Sequence, residues 1–149
     1  MNPTKLLRPA LALAAALTLS LATAVCGTDL AEDAATACVD ETGRAAGIRV
    51  TLVTVWNGTP EFLPEDIGVT EDCIRPVHTI DNSSYVYIVG DKKYTVGHFF
   101  DVWPDNPSPR PNATVENVSL NGVRYEDNYR DIVFEDDQRI VVAFGDRTP

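Results

Sequence analysis

The stretch Ile48–Gly58, IRVTLVTVWNG, decides the fold. Apolar residues alternate with period two along it, at Ile48, Val50, Leu52 and Trp56. This period predicts a strand with one face in the core, and Val53 and Val55 predict partial cover on the other face. The dipeptide Asn57-Gly58 tolerates the positive φ angles of a type I′ turn, so we expect a hairpin. The return strand, 59–63, contains a proline, which favours the edge of a sheet.

The remaining elements extend this hairpin into an α+β pattern. Residues 95–103 predict one short helix, because apolar residues recur there at helical spacing, Thr95 is a suitable N-cap and Pro104 ends the run. Asn121-Gly122 predicts a second hairpin. Further strands are predicted over 84–90, 114–120 and 138–144, and a proline-rich surface loop over 104–112. The predicted fold is a small mixed sheet of two hairpins packed on one short helix.

The N-terminal residues predict an exported protein. Lys5 and Arg8 precede an uncharged apolar run at 11–21, which is shorter than the roughly 20 residues that span a bilayer. Ala22-Thr23-Ala24 matches a cleavage site, so residues 1–24 are predicted to be a signal peptide. Residues 25–47 are small and acidic, which predicts a flexible tether. Residues 48–149 are then a single α+β domain.

The three cysteines leave two arrangements open. Cys26 lies just after the apolar run, where a bacterial lipoprotein carries its lipid, although Val25 replaces the small residue of that motif. Lipidation of Cys26 would leave Cys38 and Cys73 as a disulfide pair. Under plain secretion, Cys26 would instead form a loop with Cys38, and Cys73 would be buried. Either arrangement predicts an extracytoplasmic location, secreted or anchored to the membrane by a lipid.

Three segments together resemble a family of small, mostly uncharacterised extracytoplasmic domains of bacteria and archaea. They are 78–81 (HTID), 94–103 (YTVGHFFDVW), and LNG at 120–122 followed by YRDIV at 129–133 and IVV at 140–142. The family carries H-T-H-D, Y-T-L-G-x-F-F-x-x-W and V-N-G…Y-V-L-x-D-G-D stretches. Here Ile80 replaces the second histidine, and 136–138 reads DDQ in place of D-G-D.

The resemblance covers about residues 48–145, and its C-terminal half also resembles β-grasp sulfur-carrier domains. It therefore implies a β-grasp-like fold. Residues 146–149, DRTP, lack the Gly-Gly end that such carriers need. The family implies no defined activity.

His78 carries the alternative function, periplasmic metal binding. With Cys73 and Asp81, and with His98 as a further donor, it offers the ligand types that transition metals prefer. The competing interpretation makes His78 a hydrogen-bonded loop residue and Cys73 a disulfide partner. His98 lies off the aromatic stripe of the helix, so we expect it to be exposed.

Two further groups of side chains have alternative interpretations. The acidic run 126–137 would offer oxygen ligands to Ca²⁺, but it lacks the EF-hand order and is typical of a solvated face. The aromatic residues either line a sugar or peptide groove or fill the core; Tyr85 and Tyr87 share one strand face, so their exposure distinguishes these possibilities.

The net charge and the absence of common catalytic motifs limit the classes of function that the sequence predicts. The chain has 149 residues, with 22 acidic and 12 basic residues and a net charge of −10, which disfavours nucleic-acid binding. No G-x-S-x-G, P-loop, H-E-x-x-H or C-x-x-C motif is present. The sequence predicts a non-catalytic exported cell-envelope domain without a cofactor, with a binding or structural role. Its partner is an unknown protein or small molecule, and it meets the membrane only through a lipid on Cys26.

Overall fold

The computed structural model describes residues 29–103 and 113–146, which form a mixed α+β fold as predicted. The helices are α1 (Leu30–Thr36) and α2 (Val96–Val102), with single 3-10 turns at Glu41–Gly43 and Tyr129–Asp131. The strands are β1 (Ile48–Trp56), β2 (Thr59–Glu61), β3 (Val69–Thr70), β4 (Cys73–Ile74), β5 (Val77–His78), β6 (Tyr85–Ile88), β7 (Ala113–Leu120), β8 (Val123–Arg124) and β9 (Arg139–Asp146). The predicted signal peptide, Cys26 and the proline-rich loop lie outside the described residues.

Seven of these strands form one sheet, in the order β5-β6-β1-β9-β7-β8, with β2 also paired to β1. β1 and β9 are parallel, with Leu52 opposite Ile140, and every other pair in the sheet is antiparallel. β6 pairs with residues 48–51 of β1, whereas β2 pairs with residues 54–56. β3 and β4 form a separate two-stranded ribbon. The middle of β1 is therefore the point where its neighbour changes from β6 to β2.

The alternation along β1 separates two faces of the sheet, as predicted. Val50, Leu52, Thr54 and Trp56 are buried, and the residues between them are half-buried or exposed. We call the buried side the inner face and the opposite side the outer face. α2 covers the inner face through Phe99 and Phe100, and the Phe100 ring meets Phe144 of β9 edge-on at 6.4 Å. Apolar burial of this kind stabilises the sheet from one side.

Both predicted hairpins are confirmed at their turns. Asn57 and Gly58 have φ angles of 45° and 80°, and Asn121 and Gly122 have 51° and 81°. Positive φ at both central positions defines a type I′ turn, whose twist suits two antiparallel strands.

The helix α2 begins with a cap of which the sequence predicted only the Thr95 part. The Thr95 hydroxyl accepts a hydrogen bond from the His98 backbone N–H, and the His98 Nδ1 accepts one from the Thr95 N–H at 3.0 Å. This is a capping box with histidine in the position usually held by Glu or Gln. His98 is therefore half-buried, whereas its place off the aromatic stripe predicted full exposure.

The segment 29–47 differs from the predicted tether. Asp29 caps α1, and Ala34 on that helix is buried in the core. Asp33 is only 8% exposed; it accepts hydrogen bonds from the Tyr94 hydroxyl and from Lys92 Nζ. These bonds, that of Lys92 first, lower the pKa of the Asp33 carboxyl. Composition predicts disorder because large apolar groups are scarce here, but one bonded carboxylate and one small buried side chain hold the helix in place.

Candidate functional site

Cys38 and Cys73 form a disulfide, as predicted for that pair, with their Cα atoms 5.2 Å apart. The bond joins the chain just after α1 to β4. The backbone supports it, because the Val39 N–H donates to the Ile74 carbonyl at 2.8 Å. With this bond formed, the alternative loop between Cys26 and Cys38 has no free thiol at Cys38.

His78 is completely buried in β5. Its Nδ1 lies 2.8 Å from the Arg75 carbonyl oxygen, and its Nε2 lies 2.8 Å from the Arg44 carbonyl oxygen. A neutral imidazole has one N–H, so it donates to one of these two carbonyls. Burial lowers the pKa of His78 and keeps the ring neutral. The side chain thus ties residue 44 of the N-terminal segment to the sheet.

The three predicted metal ligands do not come together. The Cys73 sulfur is bonded to Cys38, both His78 nitrogens face backbone carbonyls, and Asp81 is exposed and accepts bonds from the Ser83 N–H and hydroxyl. Those bonds lower the pKa of Asp81. Across residues 29–103 and 113–146, no group of three or more His, Cys, Asp or Glu is placed to hold a metal ion.

The acidic run and the tryptophans occupy structural positions. The six acids of the run are all exposed, at Glu126, Asp127, Asp131, Glu135, Asp136 and Asp137. Asp136 accepts from the Arg49 backbone N–H at 3.1 Å. Trp56 is buried and stacks on Phe144 with 4.7 Å between ring centroids, and Trp103 is half-buried beside Phe100. Trp103 lines the cavity at the end of α2 that is described below, Trp56 lines neither cavity of the described residues, and Tyr85 and Tyr87 are half-buried on the outer face.

A groove of about 400 Å³ opens on the outer face where the neighbour of β1 changes from β6 to β2. We call it the outer-face groove. It is lined by Thr51, Val53, Pro60, Glu61, Phe62, Ser83, Ser84, Tyr85 and Arg139.

Strand register places the polar and aromatic walls of the outer-face groove. Thr51 lies opposite Tyr85 of β6 on one side and opposite Arg139 of β9 on the other. The Arg49 guanidinium lies 4.5 Å above the centre of the Tyr85 ring, in the range of a cation–π contact. Phe62, just after β2, is 77% exposed. The groove therefore joins aromatic surface to two arginines.

Ser84 is the unusual residue of this groove. It has a φ of 66°, in the left-handed region that non-glycine residues rarely adopt. It is only 4% exposed, and within the described part of the chain its hydroxyl has no hydrogen-bond partner. Its carbonyl accepts from the Leu52 N–H at 2.9 Å, which fixes the backbone. A buried hydroxyl without a partner costs free energy unless something else bonds it.

A second cavity of about 420 Å³ lies between α1, the 64–70 loop and the end of α2. Three of its four charged lining residues already bond within the protein, and the fourth, Glu65, is exposed. Asp66 pairs with Arg44 at 2.7 Å, Asp101 pairs with Arg130 at 2.5 Å, and Arg75 donates to the Ala37 carbonyl at 3.4 Å. The outer-face groove is the better candidate site, because it holds the Ser84 hydroxyl, which has no partner among the described residues, and Arg139, which is exposed and pairs with no acid among them.

Sequence reasoning missed most of this groove. Pro60 and Pro64 did mark a short edge segment, and an exposed side chain between them is a natural consequence. Ser84 and Arg139 carried no local signal, because only the pairing of β1 with both β6 and β9 brings them to one place.

No family model, curated protein or solved structure matches the chain. Among the helices of the described residues, none has the length and apolar character to cross a membrane.

Proposed function

We propose that the protein is a non-catalytic exported domain of the cell envelope that binds a partner through the outer-face groove. The predicted signal peptide supports export, and the Cys38–Cys73 disulfide fits an oxidising compartment. The partner is a protein or a small molecule of that compartment.

The observation that carries the binding role is the exposure of Phe62. Single apolar side chains on a surface are common, but Phe62 borders a groove that Val53, Pro60 and Tyr85 also line. Ligand sites are usually concave and combine apolar surface with placed polar groups. Here Val53, Pro60, Phe62 and Tyr85 form the apolar part, and the other lining residues, Arg139 and Ser84 among them, are polar or charged.

Lipidation of Cys26 belongs to this proposal. α1 packs against the domain from residue 30 onward, so only a short segment connects a lipid at residue 26 to the folded domain. An extended chain spans at most about 3.6 Å per residue, so three steps from Cys26 to Asp29 span roughly 11 Å. A lipid on Cys26 would therefore keep α1 close to the membrane surface.

The fold proposal that accompanies this function is a β-grasp-like domain. Support comes from the parallel pairing of β1 and β9 at the centre of the sheet, with the β1–β2 hairpin on one side and the β7–β8 hairpin on the other. α2 lies between the two hairpins in the chain and packs on the inner face. The resemblance of residues 48–145 to small extracytoplasmic domains is part of the same proposal.

The test places a photo-crosslinking amino acid at position 62 of the full chain, expressed in its organism of origin. Position 123 is the matched control, because Val123 is also an exposed apolar residue, 70% exposed, on β8 outside the groove. We expect a discrete crosslinked product from position 62 and none from position 123. Equal products from both positions, or none from either, would reject the binding role.

The same material tests export by intact mass. Cleavage after Ala24, or a lipid mass on Cys26, is expected together with the two-hydrogen loss of one disulfide. A full-length chain with three free thiols would contradict export.

A further inference from the structure

We propose that the outer-face groove binds a carboxylate carried on an aromatic or branched apolar group; this rests on the proposed function of that groove. The chemistry is that of a free aromatic acid or of the apolar C-terminal residue of a peptide.

The apolar part of the ligand has a defined place. Phe62 forms an exposed rim, Val53 lies on the floor, and Tyr85 forms the wall towards β6. Aromatic rings stack favourably with offset or edge-on geometry, and each such contact adds to simple burial of area. A flat ring between Phe62 and Tyr85 would cover surface that the described residues leave open.

The carboxylate has a place at the other end of the same groove. Arg139 is exposed and, among the described residues, lies within ion-pair distance of no acid. Arg49 stands over the neighbouring Tyr85 ring, so its charge adds to that of Arg139. Asp136, whose carboxylate accepts from the Arg49 backbone N–H at 3.1 Å, is the acid beside this pair, and it does not line the groove. Arginine binds carboxylates through paired N–H donors, which makes it the natural partner.

The acid of the groove is set apart from this cation. Glu61 lies opposite Thr54 of β1, whereas Arg139 lies opposite Thr51. Three residues along a strand separate these rows by about 10 Å. The backbone of Glu61 is therefore well removed from a carboxylate bound at Arg139.

Ser84 supplies the third element. Its hydroxyl is buried without a partner among the described residues, and Ser84 lies next to Tyr85 on the groove lining. The hydroxyl is closed to solvent, so a ligand oxygen would bond it after a turn of the Ser84 side chain and would then supply the hydrogen bond that the described residues do not. The left-handed backbone at Ser84 holds the residue there at a conformational cost, which is typical of positions kept for function.

The experiment is an NMR titration of the processed, disulfide-bonded protein with N-acetyl-phenylalanine. N-acetyl-phenylalaninamide, which has the same ring without the charge, is the matched probe. We expect the acid to bind with a dissociation constant of about 1 mM and to shift the amides of Thr51 and Tyr85. The amide should bind about tenfold more weakly. Equal affinity for the two probes would overturn the proposal.

Three variants locate the ligand. Arg139→Gln should weaken binding of the acid about tenfold but leave the amide unchanged, whereas Arg124→Gln, the same charge change on β8, should change neither. Ser84→Gly suits the positive φ and so keeps the fold; it should weaken binding about fivefold. Phe62→Ser changes an exposed side chain and should weaken both probes. Wild-type affinity in Arg139→Gln would also overturn the proposal.

Two further results distinguish a peptide terminus from a free acid as the ligand, and the carboxylate proposal from the more general binding role. Tighter binding of acetyl-Ala-Ala-Phe than of N-acetyl-phenylalanine would assign the carboxylate to a peptide terminus, and equal binding would assign it to a free acid. If neither acid binds while position 62 still crosslinks in cells, the carboxylate proposal fails but the binding role stands. If both fail, the proposed function fails with it.

Discussion

The central strand pair β1–β9 and the N-terminal segment 29–47 are held to the molecule in different ways. β1 and β9 bury a continuous row of apolar side chains on the inner face, including Leu52 and Ile140. The N-terminal segment is held by a few separate contacts: the Cys38–Cys73 disulfide, the bonded Asp33, and the Arg44 carbonyl beside His78. Continuous burial leaves a pattern in the sequence, whereas isolated contacts do not. Their energetic behaviour should differ as well.

The largest expected effect comes from the central pair. Leu52→Ala removes a completely buried side chain and should lower the free energy of unfolding by about 2–5 kcal/mol. Urea denaturation measures this loss. Val53→Ala, one residue along the same strand but half-buried on the outer face, should cost clearly less. Similar losses in the two variants would contradict the distinction between the faces.

The disulfide should rank next. Cys38→Ser with Cys73→Ser removes a crosslink of 35-residue separation and should cost about 2–4 kcal/mol. Hydrogen exchange tells where the loss falls: amides of α1 should lose protection first, while those of β1 keep theirs. If β1 and α1 lose protection together at low denaturant, the N-terminal segment is not a separate unit of stability.

The Asp33 contact should have a smaller effect. Asp33→Asn weakens the bonds to Tyr94 and Lys92 in a nearly closed site, and should cost about 1–3 kcal/mol. Glu32→Gln in the same turn of α1 is the control, because Glu32 is exposed. Its effect on the thermal midpoint should be close to zero. An equal shift from both variants would mean that helix-end charge, rather than the buried contact, holds α1.

The smallest change should come from mild acid. The native pKa of His78 lies below its usual 6.5 because the ring is buried, with Arg44 as a further lowering charge; the bonds to the Arg44 and Arg75 carbonyls and the charge of Asp66 oppose the shift. The unfolded chain therefore takes up the proton first, and stability should fall as pH drops below about 6.5, until the native pKa is reached. One group changes stability by at most about 1.4 kcal/mol per pH unit.

Denaturation midpoints between pH 7 and pH 5 measure this slope. His78→Asn should flatten it. A slope that survives His78→Asn would assign the acid sensitivity to other groups.

The elements that local chemistry specifies were predictable. The alternation of β1, the two Asn-Gly turns and the Thr95 cap of α2 each depend on residues close together in the chain. The pairing of β1 with β9 could not be predicted, because Leu52 and Ile140 are far apart in the sequence and many strand orders are compatible with the same alternation. The groove follows from that pairing, so no local pattern pointed to Arg139 or Ser84. The capping role of His98 was not predicted because Glu or Gln usually occupies that position.

The pairing of β1 with β9 also determines when the central sheet can form during synthesis of the chain. A polypeptide that leaves a narrow channel N-terminus first presents residues 48–56 well before residues 139–146. Pairing across such a long interval is slow, because closing the intervening loop comes first. Until β9 emerges, β1 lacks its parallel neighbour, so a chain that has only partly emerged cannot complete the sheet. Completion of the central sheet therefore waits for the C-terminal strand β9.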